Sequence, residues 1–259
     1  MISWRICRLW GVWLAGFGVG ALWAQEPTFM EAATHPGAGQ FYGRGGLAWV
    51  ESESASTGRT DQAASLKLAY GLTPTLAALA DAEYRWRDER EERGNALSLT
   101  TFRLKYRFWR KDLGPLNTWR MSVLGGVGFP GTDDDRLAPE HPFPRLGWVS
   151  TAILGRHGIN AQVDWAGYRG APDAFDLNAS HLYRLAPAEY AVSIRGAWYT
   201  QIETLNRVDD GGEAESDLAV GILYEAWAWA GEISLRLPVS PPGDRDDERE
   251  IRVGVRWLF

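Results

Sequence analysis

The final nine residues, 251–259, restrict the fold more than any other part of the chain. Ile251, Val253, Val255, Trp257 and Phe259 share one parity, and Arg252, Gly254, Arg256 and Leu258 the other. A period of two denotes a strand whose two faces meet different surroundings. The same alternation recurs upstream in segments of about ten residues, the length a tilted strand needs to cross a bilayer. Its apolar parity comprises Phe41, Leu47 and Trp49; Leu66, Leu68 and Tyr70; Leu76, Ala78, Ala80, Tyr84 and Trp86; and Phe102, Leu104, Tyr106 and Phe108. It continues with Trp119, Met121, Val123, Val127 and Phe129; Leu146, Trp148 and Ala152; and Ile159, Ala161, Val163 and Trp165. An eighth segment spans 175–184 with a weaker pattern. Three more carry Tyr190, Val192, Ile194 and Trp198; Leu218, Val220, Ile222 and Tyr224; and Trp227, Trp229, Ile233, Leu235 and Leu237. The terminal segment makes about twelve.

The connections alternate as well. Short turns are expected at 71–75, 110–117, 155–158, 186–189 and 225–226, and longer polar loops at 87–95, 130–142, 201–215 and 238–248. Several of the long loops are acidic, with Asp88, Glu89, Glu91 and Glu92 in one and Asp133, Asp134 and Asp135 in another. Aromatic residues collect at both ends of the segments, where amphipathic rings favour the two membrane interfaces. Together these features predict an all-β protein, a transmembrane antiparallel up-and-down β-barrel with both termini on one side.

At the start, Arg5 and Arg8 precede an uncharged apolar run from Leu9 to Trp23, followed by Ala24. This pattern predicts a secretory signal peptide over 1–24, then a periplasmic lead over 25–38 and the barrel over 39–259. The only cysteine, Cys7, lies in the signal segment. No later stretch approaches 18 consecutive apolar residues, so helical spans are not expected. A net charge of −6 argues against nucleic acid as a partner, and 14 Trp and 29 Gly against three Met suit aromatic girdles on glycine-tolerant strands.

The parity opposite the apolar one should line the lumen. It offers Lys67, Arg85, Arg103, Lys105, Arg107, Arg120, Arg195, Arg236, Arg252 and Arg256 against Asp81, Glu83, Asp164 and Glu232, a predominantly basic set. Hairpin arithmetic puts Glu83 opposite Arg103, Asp81 opposite Lys105 and Glu232 opposite Arg256. It also sets Arg107 against Arg120 and Arg236 against Arg252, leaving positive charge that needs water, an anion or a remote carboxylate. About eight strands give a filled barrel and 16 to 18 a channel; twelve lies between, so a narrow channel and a filled barrel both remain open.

No catalytic, metal or cofactor constellation stands out. His35 lies in the lead, His141 in a loop and His157 in a turn. His181 is adjacent to Ser180, which points the opposite way in a strand, and Ser193 is its other candidate serine. A hydrolase would need a histidine beside its nucleophile. His181 with Asp164 or Asp176 has no metal-ligand spacing.

A chain ending on an aromatic residue after Ile251, Val253, Val255 and Trp257 resembles the C-terminal signature of outer-membrane barrels. That implies outer-membrane lipid and the barrel-assembly machinery as partners. Leu68-Ala69-Tyr70-Gly71-Leu72-Thr73 and Leu124-Gly125-Gly126-Val127-Gly128-Phe129-Pro130-Gly131-Thr132 resemble the outer-membrane channel family linked to the meta pathway of phenol degradation. There the usual order is Pro-Thr-Gly where this chain has Pro130-Gly131-Thr132. The resemblance implies a transporter of small compounds, aromatic ones included. The expected function is therefore a passive outer-membrane channel for small anionic or aromatic solutes. The alternatives are a filled structural or adhesive barrel with acidic loops, and a lipid hydrolase.

Overall fold

The computed structural model describes residues 26–53, 58–89, 92–114, 117–134, 136–189, 196–212, 214–239 and 247–258. Twelve strands succeed one another: β1 (Phe41–Glu53), β2 (Gly58–Gly71), β3 (Leu76–Glu89), β4 (Glu92–Asp112), β5 (Thr118–Pro130) and β6 (Phe143–Leu154). The second half consists of β7 (His157–Ala166), β8 (Ala174–Ala186), β9 (Gly196–Asp209), β10 (Ala214–Ala226), β11 (Trp229–Pro238) and β12 (Asp247–Leu258). Each pairs antiparallel with its sequence neighbour, and β1 pairs with β12 to close the ring. Closure leaves no strand edge with unpaired backbone groups, as a sheet in hydrocarbon requires.

The apolar parity faces outward. Phe41, Leu47, Leu66, Phe102, Leu104, Val123, Ile159, Ile222, Ile233, Ile251 and Val255 are all exposed. In water such a belt would be an aggregation surface; against lipid it is the solvated face. Ring contacts mark the turn end, where Phe41 and Tyr70 lie 4.5 Å apart, Trp198 and Tyr224 4.8 Å, and Trp109 and Trp119 4.9 Å.

Several strands are longer than their apolar patterns. The expected loop 87–95 shrinks to residues 90 and 91, because β3 and β4 continue the ladder through Glu89 and Glu92. Likewise β9 and β10 absorb most of 201–215. Polar side chains on both faces do not stop a strand beyond the bilayer, since the backbone groups still need partners. Trp227 belongs to the turn before β11 and is 78% exposed. Of the ninth segment, Trp198 lies in β9, whereas Tyr190, Val192, Ser193 and Ile194 lie outside the described residues, as do the signal segment and Phe259.

The lumen is not empty. The segment expected to be a periplasmic lead runs, from Glu26 onward, inside the ring of strands, and residues 30–36 are buried. Ala33 packs in a cluster with Tyr42, Ala69, Ala77, Leu79, Leu124 and Val149. Across the barrel, Leu182, Ala197, Tyr199, Leu223 and Ala230 form a second cluster. Gly71 shows the closeness of the fit: a Cβ there would collide with the carbonyl of Gly37, while Gly39 N donates to Gly71 O at 2.8 Å. Only glycine lets the segment cross β2 at that level.

Candidate functional site: the lumen and its inserted segment

An extended segment inside a barrel has backbone groups that the ladder cannot satisfy, so inward side chains must do it. Glu203 accepts from Thr28 N at 2.8 Å and from Phe29 N at 3.1 Å. Gln162 accepts from Glu31 N at 2.7 Å, and Thr151 Oγ1 from Ala33 N at 2.8 Å. On the acceptor side, Arg44 donates to Pro27 O at 3.0 Å and Thr28 O at 2.7 Å, Ser122 Oγ to Ala33 O at 3.1 Å, and Arg256 to Glu26 O at 2.8 Å. The segment is thus stitched to β1, β5, β6, β7, β9 and β12.

Charge completes the fit. Glu31 lies 2.5 Å from Lys67, 3.1 Å from Lys105 and 3.6 Å from Arg103. Burial works to raise its carboxyl pKa, but these three cations outweigh it and hold the group well below the usual carboxylate range. The His35 imidazole is pushed down to about 4 by burial and by Arg107 and Lys105, against the raising effect of its 2.9 Å hydrogen bond to Pro36 O.

The remaining lumen charges form ion-pair groups, in registers four residues away from those expected between β3 and β4 and two residues away between β4 and β5 and between β11 and β12. Arg103 stands opposite Leu79, Lys105 opposite Ala77 and Arg256 opposite Ala230. The ion pairs are therefore diagonal, Arg103 with Asp81 at 3.1 Å and Glu232 with Arg256, and Glu232 also reaches across β12 to Arg44 of β1 at 2.5 Å. Lys105 reaches Glu31 rather than Asp81. Arg236 faces Glu250, not Arg252, and both arginines bind that carboxylate, at 2.8 and 2.6 Å. Glu83 pairs with Arg85 on its own strand at 2.7 Å. Asp164 lies 3.4 Å from Arg145 and 3.8 Å from Arg103. Arg107 faces Ser122 rather than Arg120, and Arg195 is outside the described residues. Above the inserted segment is a cavity of about 240 Å³ lined by Phe29, Lys67, Asp81, Arg103, Arg145 and Arg252, among others.

Sequence reasoning missed Glu26, Glu31 and Glu203, which carry the seating of the segment. Glu203 falls in an expected loop, although it shares the inward parity of its strand; for Glu26 and Glu31 the chain gives no periodic signal. His181 lies on the outer face with its Nε2 3.0 Å from His157 Nδ1, while Ser180 points inward and accepts from Asn160. Of the expected assembly signal, Ile251, Val253 and Val255 face outward on β12, where they stand opposite Trp49, Leu47 and Gly45 of β1.

A closed twelve-strand barrel with an apolar outer belt, aromatic girdles and a polar, charged lumen is an outer-membrane β-barrel. No protein-family profile matches the chain, and no curated relative matches it. Among solved structures it is similar to an outer membrane channel from Pseudomonas putida F1, at 12% identity with a TM-score of 0.60, covering 91% of this chain and 100% of that one. It is also similar to the translocator domain of the autotransporter NalP from Neisseria meningitidis, at 12% identity and a TM-score of 0.49, covering 87% and 90%. The KdgM porin gives 9% and 0.48, covering 83% and 99%. The first of these likenesses establishes the fold.

Proposed function

We propose that this protein is a passive outer-membrane channel for small anionic or aromatic solutes, closed in the described state by residues 26–36. The observation that carries the reading is the character of the interior. A barrel that served only as a scaffold could fill its lumen with apolar side chains, whereas this one keeps a cavity walled by charged groups beside a non-strand segment. Description of the Pseudomonas putida F1 protein as a channel supports the same reading. Basic groups near the turn end, Arg107 and Arg120 among them, favour anions, because charge in a confined lumen is less screened than charge on the outer loops.

A sealed structural barrel is the second reading, and the dense hydrogen bonding of the segment favours it. Planar-bilayer recordings of refolded protein separate the two. The channel reading expects conductance that rises when residues 26–38 are deleted, with reversal potentials that indicate anion preference. It also expects that preference to weaken when Arg107 and Arg120 are both changed to Ser. Silence in both the full chain and the deletion variant would establish the sealed barrel.

A further inference from the structure

Near the turn end, β4 carries a bulge between Arg107 and Trp109. A bulge adds one residue to one strand and re-aims the side chains beyond it. By strict alternation from Arg107, Arg110 would point to lipid and Trp109 to the lumen. The bulge reverses them: Trp109 packs edge-on against the outward Trp119, and Arg110 comes directly opposite the inward Arg120. Like charges directly opposite one another in a ladder destabilise it, so this geometry needs a counter-charge.

Protein groups supply little. Asp112 accepts from Arg110 Nε at 2.9 Å and from Thr118 Oγ1 at 3.0 Å. Arg107 donates to the carbonyl of Pro74 at 2.6 Å. Arg120 is 6% exposed, and its Nε donates to the Thr118 hydroxyl at 3.4 Å, a weak contact. Among the described residues no carboxylate comes within 4 Å of Arg107 or Arg120. Three guanidinium groups thus have one carboxylate nearby, Asp112, and of the three it is in contact with Arg110 alone, while Arg120 has little access to bulk water.

We infer that Arg107, Arg110 and Arg120 form a binding site for a small soluble oxyanion, a phosphate or carboxylate, at the turn end of the lumen. Guanidinium forks match the paired oxygens of both groups, which a halide does not offer. As a solute site it rests on the channel reading, but its test measures binding and needs no open pore, so the two can fail separately.

Refolded protein in phosphate-free detergent is titrated with inorganic phosphate, and separately with succinate, against sodium chloride of matched ionic strength. Tryptophan emission provides the readout, because Trp109 and Trp119 lie on the outer side of the same ladder. Saturable binding of at least one oxyanion is expected, weakened about tenfold or more in Arg120→Gln and in Arg107→Gln. Arg120→Lys, which keeps the charge and loses the fork, should be intermediate. Urea midpoints guard against misfolding: the oxyanion should raise the midpoint of the parent protein and leave that of the Arg107→Gln/Arg120→Gln variant unmoved. An equal response to matched chloride, no saturable signal from either oxyanion, or unchanged binding in the Gln variants would overturn the inference.

Discussion

Changing Glu31 to Gln would leave the Lys105 ammonium, whose side chain is 2% exposed, without its carboxylate. Removing one partner of a buried ion pair typically costs about 3–5 kcal/mol. Lys67 is 21% exposed and keeps Asp81 at 3.7 Å, and Arg103 keeps Asp81 at 3.1 Å, so neither adds much. The glutamine carbonyl can still accept a hydrogen bond, which places the loss near the lower bound, about 3 kcal/mol. Borne by the seating of the inserted segment, this multiplies the unseated fraction by roughly 100-fold. Bilayer conductance reports that fraction, and a companion variant with Lys105→Met added should restore closure, because an apolar replacement removes the unpaired charge. If Glu31→Gln matches the parent protein in conductance and in urea midpoint, the segment is not held by this charge cluster.

The seating should also depend on pH. The folded pKa of His35 is depressed to about 4 from an ordinary 6.5, so the unseated state takes up the proton first and stability falls as pH drops from about 6.5 towards 4. Glu31, also depressed, adds a loss of the same sign only below the ordinary carboxylate range. Conductance should therefore rise between pH 7 and 5, and His35→Gln should flatten that rise; a pH-independent parent protein contradicts the assignment. On the lipid face, Leu66→Arg should destabilise the barrel by roughly 2–4 kcal/mol, whereas Ser65→Arg, one residue away and beside Glu83 on the cavity wall, should cost much less in urea unfolding. Deleting Phe259 should lower the yield of heat-modifiable barrel in outer membranes, and full assembly without it would refute a terminal recognition signal.

The outer face was legible in the sequence because lipid tests every second residue in the same way. Leu104, Val123, Ile222 and Val253 need no knowledge of their neighbours to be placed outward. Register was not legible to that accuracy. Shifting a hairpin by two or four residues keeps parity, so no side chain changes face and the hydrophobic pattern gives no warning. The expected pair of Glu232 with Arg256 survives as a diagonal contact, while Lys105 loses Asp81 altogether. The register of β3 and β4 at Arg103 and Lys105 follows from their short connection, residues 90 and 91, together with a bulge between Glu83 and Tyr84, and polar loop composition conceals both.

Two features lay beyond periodicity altogether. A bulge breaks parity at one residue, which is why the pattern makes Arg110 an outward or turn residue and hides its place opposite Arg120. The inserted segment has no period at all, since its partners are supplied one side chain at a time by most of the strands in the ring. Its two glutamates change the electrical balance of the lumen: Glu31 answers Lys67, Lys105 and Arg103, Glu26 adds a carboxylate that accepts from Tyr42, and Asp217, Glu203 and Glu250 add inward carboxylates that lay past the apolar stretches. The basic excess is therefore local, not general. It survives at the turn end around Arg107, Arg110 and Arg120, below the seated segment, where an anion's selectivity would be decided after the segment has moved.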